Sequence, residues 1–296
     1  MKSIKLFLAI LAGKFVGFLA QAFGRGSGQA APGLISLKIY PDLIKDLTEQ
    51  IEKKVIITAT NGKTTTSEMI TQILKENCEN YVRNESGSNL ARGIASALLD
   101  KVDYFGNIDS KFGVFEVDEA EFANILQQIR PDVIILGNLF RDQLDRYGEI
   151  DTIAKKWKQA LQSITRIHSN STRESRENTV LILNADDPSL AMISNSFRGD
   201  KIFYGIKTFK KINKDEIKHA ADSIRCFNCG KILSYKSWMF SHLGDYYCIG
   251  CRLERPKLDV WADNIIHKKN YLKFKVYDNK SIGDIKINIL GSYNVY

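Results

Sequence analysis

The sequence predicts an α/β protein in which a parallel sheet is covered by helices, and two features of the chain lead to that prediction. Several apolar runs of strand length each end in a polar cluster, and segments with helical spacing lie between some of them. Parallel strands joined by right-handed crossovers bring their carboxyl ends to one edge of a sheet. We therefore expect the polar clusters to meet at that edge.

The first element is an apolar segment, residues 4–23, with the spacing of a helix. Lys2 and Lys5 before it, and Ala20 and Ala22 near its end, would also suit a signal peptide, although Lys14 interrupts the apolar run. We favour a helix that packs on the domain or rests on the inner face of the membrane. The protein is then expected in the cytoplasm, with or without peripheral contact with the plasma membrane.

The element around which the prediction is built is the strand at 55–57 and the turn and helix that follow it. Backbone N–H groups and the positive end of a helix suit phosphate, Lys63 adds a charge, and the Thr64 hydroxyl can bind Mg²⁺. The strict P-loop pattern requires glycine where Ile57 lies, so the general motif fails, but TNGKTTT after a strand is more specific. The alternative is a chance surface turn. We assign nucleotide contacts to Thr60, Asn61, Gly62, Lys63, Thr64 and Thr65.

The strand predicted at 112–117 carries Glu116, although a strand buried on both faces should carry little charge. An acidic helix start explains residues 118–121 well, but it explains Glu116 less well because this residue lies near the strand end. We therefore predict that Glu116 binds Mg²⁺ or a Mg²⁺-bound water.

Three further strands are predicted at 131–136, 180–183 and 201–205. The polar residues after the first two of these strands include Asn138, Asn184 and Asp187. We expect them to join the phosphate loop and Glu116 in one site at the carboxyl edge of the sheet.

Four cysteines in two CxxC pairs, separated by eighteen residues, have the spacing of a Cys₄ zinc ribbon. Four thiolate ligands indicate a closed structural site, placed in an insert at 222–256. Metal binding of about 10–16 kcal/mol can fold such a small insert. Nearby basic and aromatic residues also suit nucleic acid, but we favour a structural clip and expect no nucleic acid. The predicted zinc ligands are Cys226, Cys229, Cys248 and Cys251.

The segment after the ribbon predicts a hairpin of strands 271–276 and 285–289, and residues 291–296 resemble the start of a further element. A length of 296 residues suits one large or two modest domains, and the net charge of +8 weakly favours an anionic partner. We predict an N-terminal helical segment at 1–50 and an ATP-binding domain at 51–296 that carries the ribbon insert.

Four motifs in this sequence resemble those of the Mur ligase family: TNGKTTT at 60–66, EVDEAE at 116–121, FRDQLDRYGEID at 140–151 and LNADDP at 183–188. The Cys₄ ribbon is similar to that of one branch of the family, which amidates lipid II. The resemblance implies a P-loop Mur-ligase-type central domain that uses ATP, Mg²⁺ and Zn²⁺. The carboxyl-terminal ligase domain of the family is expected to be absent from this chain.

The resemblance also implies a reaction. ATP phosphorylates the α-carboxylate of D-glutamate in the lipid II stem peptide, and ammonia then displaces phosphate from the acyl phosphate. The ammonia comes from glutamine through a GatD-like amidotransferase subunit. The alternatives are another Mur or folylpolyglutamate-type amide ligase, and a non-catalytic scaffold that binds nucleotide or nucleic acid. The isolated chain is expected to bind nucleotide and to turn over poorly.

Residue roles follow from the same resemblance. Lys63 and Glu116 are the implied catalytic residues: Lys63 binds the β- and γ-phosphates, and Glu116 holds Mg²⁺ together with Thr64. The implied adenine and ribose contacts are Asn184 and Asp187. The implied residues of the acceptor side and of a second metal are Asn138, Asp142 and Asp145.

This chain departs from the family pattern at several positions. Ala59 replaces the first glycine of the loop, which a small side chain tolerates if its φ stays negative. Gln143 lies where many Mur ligases have a metal-binding histidine. The carbamylated lysine of many relatives has three candidates here, Lys155, Lys156 and Lys158.

Overall fold

The structure is a computed structural model that describes residues 2–22, 30–77, 79–84, 88–140, 149–169, 179–207, 225–226, 228–278, 280–288 and 291–296. The chain divides into two compact units. Unit 1 comprises Met1–Ile135 and Ser171–Thr179, and unit 2 comprises Leu136–Asn170 and Val180–Tyr296. The predicted domain boundary at residue 50 stays a prediction.

Unit 1 contains sheet strands in the order β4-β1-β3-β2. Strand β1 pairs in parallel with β3, and β3 in parallel with β2, with Ile57 opposite Glu116 at the carboxyl end of the first pair. The side chains of Ile56, Val114 and Phe115 are fully buried, which explains why these strands are apolar. The parallel pairing of the strands predicted at 55–57 and 112–117 is therefore confirmed. The bounds of the strands are β1 Lys53–Thr58, β2 Tyr81–Arg83, β3 Phe112–Glu116 and β4 Val133–Leu136.

The helices of unit 1 include the one predicted after the phosphate loop, which begins at Lys63. The segment before β1 forms a short helix, and the helix after residue 90 has Leu90 as its N-cap without a side-chain cap. The helices are α1 Lys2–Ala22, α2 Ala31–Ile39, α3 Leu43–Thr48, α4 Lys63–Glu76, α5 Ala91–Lys101 and α6 Phe122–Ile125.

Helix α1 packs against α2 and α5 with one face and leaves the other face open. Ala9 and Ile10 are fully buried, whereas Phe15 is 62% and Phe18 is 67% exposed. The segment Ile4–Ala22 is also long and apolar enough to cross a membrane. The core helix of a soluble protein and a signal sequence have the same length and composition, so this property does not distinguish between them. The structure therefore confirms the predicted packing, and membrane contact stays a prediction.

Unit 2 contains sheet strands in the order β11-β10-β9-β6-β5. Strand β6 pairs in parallel with β5 and β9, while β10 pairs antiparallel with both β9 and β11. The hairpin predicted near the end of the chain is confirmed, and β9 is a strand that the sequence reading missed. The bounds are β5 Val180–Asn184, β6 Lys201–Ile206, β9 Val260–His267, β10 Leu272–Tyr277 and β11 Ser281–Ile287, with helices α7 Glu149–Ser169 and α8 Pro188–Ser194 and a 3₁₀ turn at Ser292–Val295.

A separate two-stranded antiparallel sheet in unit 2 carries the ribbon. Its strands are β7 Ser234–Phe240 and β8 Leu243–Tyr247, joined by a tight turn at Ser241 and His242. The two CxxC pairs lie on either side of this hairpin in the chain. The predicted ribbon architecture is confirmed, whereas the outer limits predicted for the insert stay predictions.

Candidate functional site

The predicted phosphate loop connects β1 to α4 in unit 1. Gly62 is the N-cap of α4 and has φ of +89°, a left-handed conformation that favours glycine. Ala59 does not have a positive φ, so the alanine in place of glycine is tolerated as expected. Asn61, Gly62 and Thr64 are exposed, so the N–H groups of the loop and the helix start face a region that a phosphate can enter.

Thr64 and Glu116 come together across the β1–β3 pair. The Thr64 Oγ1 donates to Glu116 Oε2 at 2.9 Å, and Glu116 is only 2% exposed. A hydroxyl and a carboxylate are hard oxygen donors, so this pair fits Mg²⁺. The structure therefore brings together the two residues that the sequence assigned to the metal.

Arg83 and Asn84, at the end of β2, hold Glu116, and the sequence reading missed both. The Arg83 Nη2 lies 3.1 Å from Glu116 Oε1, and Arg83 also pairs with Glu68. Burial opposes the charge on Arg83, yet these two carboxylates keep its pKa above its ordinary value. The buried Asn84 amide accepts from the Glu116 N–H and donates to the Glu116 carbonyl, both at 2.9 Å. The carboxylate of Glu116 is thus fixed by contacts on its backbone and on its side chain.

Lys63 lies at the first position of α4 but is already engaged. Its ammonium donates to the Ala59 carbonyl and lies 2.7 Å from Glu119 Oε2, with both side chains largely buried. Glu119 belongs to the acidic segment that the sequence reading treated as a helix start. A ligand that recruits the Lys63 charge therefore competes with Glu119.

In unit 2, Asn184 is the last residue of β5 and is fully buried. Its Oδ1 accepts from the Asp186 N–H at 3.0 Å. Its Nδ2 has no hydrogen-bond partner within the part of the chain that the structure describes. An unpaired buried donor costs about 1–3 kcal/mol, so a ligand that pairs with it gains that amount.

Asp187 is fully buried and all its contacts are within the protein. Its Oδ1 accepts from the Ser189 N–H at 2.8 Å as the N-cap of α8, and its Oδ2 accepts from the Leu139 N–H at 2.9 Å. The His242 Nε2 lies 3.2 Å from the same Oδ2. Burial opposes the charged carboxylate, but His242 and the N–H donors hold the pKa of Asp187 below its usual range. The ribose contact that the resemblance implied stays a prediction, since in this conformation the carboxylate organises the loop.

Asp186 forms a second buried cluster beside it. Arg255 Nε donates to Asp186 Oδ1 at 2.6 Å, and Ile206 N–H and the Tyr296 hydroxyl donate to Oδ2 at 2.9 and 2.8 Å. A Cβ at Gly205 would lie 2.7 Å from Asp186 Oδ1, so only glycine fits there. Burial raises the pKa of Asp186 to about 6, although the Arg255 charge opposes the shift.

The four ribbon cysteines are free thiols, and their sulfurs all lie within 4.8 Å of one another. The Cys226–Cys251 and Cys229–Cys248 sulfur pairs are 3.5 and 3.4 Å apart, close to the edge of about 3.8 Å that four sulfurs around zinc define. An N–H bond from Cys251 lowers the pKa of the Cys248 thiol to about 6. The cluster therefore fits a tetrahedral metal ion.

The remaining predicted positions are less informative. Asp142, Gln143 and Asp145 lie outside the described residues. Asn138 is half-buried and immediately precedes Leu139, whose N–H binds Asp187. The lysines proposed for carbamylation are all exposed on α7, so burial does not separate them: Lys155, Lys156 and Lys158. The meeting of the residues of unit 1 and unit 2 around one nucleotide stays a prediction.

The comparison with curated proteins finds that this chain is similar to a subunit of an enzyme that is named for its action on lipid II. It is 32% identical over 292 residues to the lipid II isoglutaminyl synthase (glutamine-hydrolyzing) subunit MurT of Staphylococcus aureus (strain COL). The alignment covers 97% of this chain and 62% of that protein. The chain therefore spans about three fifths of the length of this relative.

Solved structures support the same fold. MurF from Acinetobacter baumannii matches with a TM-score of 0.56 at 16% identity, over 89% of this chain and 44% of that one. The MurF ligase of Thermotoga maritima in complex with ADP matches with a TM-score of 0.53 at 15% identity, over 85% and 44%. At these identities the likeness shows the fold alone.

The family comparison covers the part of the chain that carries most of the predicted site. The model of the Mur ligase middle domain matches residues 57–246, which includes the phosphate loop, Glu116, the Asn184 turn and most of the ribbon. Because this match covers well over half of the sequence, the chain belongs to the Mur ligase family.

Proposed function

We propose that this chain is the ATP-binding part of a ligase that amidates the α-carboxylate of D-glutamate in the lipid II stem peptide. The observation that carries the proposal is the Thr64–Glu116 pair, 2.9 Å apart, beside an exposed loop at the start of α4. Similarity to the MurT subunit over 97% of the chain supports the choice of substrate within the family.

The chain's own groups suit the handling of a triphosphate. The N–H groups of the loop 60–65 and the N-terminus of α4 bind phosphate oxygens, and Lys63 exchanges Glu119 for the β- and γ-phosphates. Thr64 and Glu116 hold Mg²⁺, which when bound neutralises charge on the phosphate oxygens. Arg83 orients the Glu116 carboxylate through the contact of its Nη2 with Oε1.

The proposed reaction has two balanced steps. An oxygen of the substrate carboxylate attacks the γ-phosphorus, the bond to the β-phosphate oxygen breaks, and ADP leaves. Ammonia then attacks the acyl carbon, phosphate leaves with the electron pair of the C–O bond, and one proton passes from nitrogen to phosphate. We infer that the ammonia comes from glutamine, hydrolysed by a GatD-like partner subunit, because the matched relative is named as glutamine-hydrolyzing.

We also infer that the ribbon binds Zn²⁺. Four thiolates at tetrahedral spacing select zinc among the common structural metals, and no ligand position is left for catalysis. The ribbon then serves as a structural site, as the sequence predicted.

We propose a peripheral contact of helix α1 with the cytoplasmic face of the membrane. Its open face is apolar along its length, including Ile4, Leu8, Phe15 and Phe18. Residues 1–41 contain five basic residues and no acidic residue. An apolar face with basic surroundings fits an anionic lipid surface, where a lipid-linked substrate also resides.

The proposal is tested by measuring lipid II amidation with glutamine, ATP and Mg²⁺, in the presence of a GatD-like partner and of any polypeptide encoded downstream. We expect amidation with the wild-type chain and its loss in Lys63→Ala and Glu116→Gln. Nucleotide binding by the isolated chain is measured in parallel. Normal amidation by either variant contradicts the residue assignment, and ligation of an amino acid instead of ammonia contradicts the proposed reaction.

A further inference from the structure

The ribbon hairpin reaches the turn that follows β5, and three of its residues contact that turn. His242, at the tip of the β7–β8 hairpin, is fully buried with its Nε2 3.2 Å from Asp187 Oδ2. The Gly244 N–H donates to the Asp186 carbonyl at 3.0 Å, and the Tyr246 hydroxyl donates to the Ala185 carbonyl at 3.2 Å. Contacts of this kind at three consecutive residues of the turn define its backbone path.

A second connection runs from the cysteine cluster through Arg255. The Cys248 N–H donates to the Leu253 carbonyl at 2.7 Å, and the Arg255 N–H donates to the Tyr246 carbonyl at 3.1 Å. These bonds tie the segment after the second CxxC pair to strand β8. Arg255 then pairs through its side chain with the buried Asp186. The segment that follows the second CxxC pair is thus joined to the turn through β8 and Arg255.

The turn held in this way contains or contacts the residues assigned to the nucleotide. Asn184 is the residue of β5 that immediately precedes it, and its buried Nδ2 lacks a hydrogen-bond partner among the described residues. Asp187 also binds the N–H of Leu139, the neighbour of Asn138. The position of His242 therefore affects Asn184 and Asp187, the predicted adenine and ribose contacts. His242 itself is not assigned a contact with the nucleotide.

We propose that the ribbon is the positioning element of the nucleotide site, and that His242 is the positioning residue through which it acts on Asp187. The inference rests on the proposed nucleotide binding. It assigns the ribbon a task beyond holding its own insert together: zinc fixes the hairpin, the hairpin fixes the turn 185–187, and the turn holds Asn184 at the end of β5.

The test compares His242→Leu with His242→Gln by calorimetric titration of each protein with ADP. Leucine fills the space but removes the nitrogen facing Asp187, whereas the glutamine amide nitrogen can take the place of Nε2. We expect ADP affinity to fall about tenfold or more in His242→Leu, because the buried Asp187 carboxylate then loses the ring nitrogen that lies 3.2 Å from it, and to recover to within about threefold in His242→Gln. Zinc content is expected to stay at the wild-type level in both.

Lys236→Ala is the matched control, because Lys236 lies on the same hairpin in a surface pair with Asp245. This variant is expected to bind ADP as the wild type does. Tyr246→Phe, which removes only the hydroxyl bonded to Ala185, provides a second probe if His242→Leu does not fold, and we expect it to weaken ADP binding about threefold.

Removal of zinc by a chelator, followed by dialysis, tests whether the metal bound at the cysteine cluster contributes to ADP affinity. We expect ADP affinity of the wild type to fall and to return on addition of zinc, while zinc removal changes little further in His242→Leu. Unchanged ADP affinity in His242→Leu, or in Tyr246→Phe if the former is unfolded, overturns the inference. Failure of the zinc-loaded wild type to bind any adenine nucleotide overturns the proposed function instead.

Discussion

Substitution of Glu116 by glutamine tests the predicted metal site directly, because it removes one charge and keeps the size of the side chain. In the wild type this carboxylate is 2% exposed, 3.1 Å from Arg83 Nη2 and 2.9 Å from Thr64 Oγ1. Glutamine retains an acceptor for the Thr64 hydroxyl. It loses the ion pair with Arg83 and the negative charge that would hold Mg²⁺.

The expected cost follows from these contacts. Removal of the only partner of a buried charge costs about 3–5 kcal/mol, but Arg83 keeps its second carboxylate partner, Glu68. The loss is then closer to that of one charge-assisted hydrogen bond, about 2 kcal/mol of the free energy of unfolding. For a chain of 296 residues that is a fall in Tm of about 3 °C.

The ligand response is expected to change as well. Mg-ATP at one hundred times its Kd stabilises the wild type by about 2.7 kcal/mol. In Glu116→Gln we expect the part of this stabilisation that depends on Mg²⁺ to vanish, while ATP alone still binds the exposed loop. The measurement is thermal unfolding of dialysed protein without ligand, with ATP and with ATP plus Mg²⁺. A chelator is avoided because it would also strip the cysteine cluster.

Glu79→Gln is the matched control for this experiment. Glu79 pairs with Lys111 at the surface, so the same substitution removes an ion pair that solvent screens. We expect little change in Tm and a full Mg²⁺ response in this variant. If Glu116→Gln keeps the same Mg²⁺-dependent increment as the wild type, Glu116 is not a metal ligand.

Three further predictions concern helix α1, the buried carboxylate of Asp186 and the contact between helices α2 and α5. Phe15→Glu should abolish co-sedimentation with anionic phospholipid vesicles, whereas Ile282→Glu, at an equally exposed apolar site on β11, should not; equal binding by both refutes the lipid contact. Asp186 binds its proton more tightly when folded, with a pKa raised to about 6 from an unfolded value of about 3.8, so its contribution to stability is present at low pH and lost as pH rises through that window. The free energy of unfolding of the wild type, measured with urea, should thus fall by about 3 kcal/mol between about pH 4 and about pH 6 relative to that of Asp186→Asn. The same pH dependence in both proteins would contradict this. Gly33→Ala should lower the free energy of unfolding by about 2 kcal/mol in the same urea assay, because the added Cβ on α2 would lie 1.9 Å from the Arg92 carbonyl oxygen on α5. An unfolding midpoint equal to that of the wild type would show that α2 and α5 can move apart without a loss of stability.

Residues close in the chain were read correctly because local patterns specify them. The strand, turn and helix from Lys53 to Glu76 follow from an apolar run, small residues and helical spacing. The cysteine cluster follows from the spacing of two CxxC pairs. Strand β9, in contrast, was missed because Val260–His267 mixes polar and apolar residues without a clear alternation and gains its place by pairing with β6 and β10.

Residues that support the candidate site from a distance were not predicted. Arg83 is separated from Glu116 by 33 positions and His242 from Asp187 by 55, and each looks like an ordinary surface charge or a lone histidine in the sequence. A pattern of nearby residues cannot report which distant groups meet. Only the folded chain satisfies a buried carboxylate with a particular partner.

The sequence by itself determined the parallel α/β class, the position of the phosphate loop, the anomalous glutamate at the end of β3 and the four-cysteine ribbon. Those features depend on periodicity and on short spacings, which the chain carries locally. The tertiary structure decided that Asp187 faces the interior, that Lys63 is paired with Glu119, and that the ribbon holds the turn after β5. These outcomes depend on the desolvation of charges, which exists only once the elements pack together.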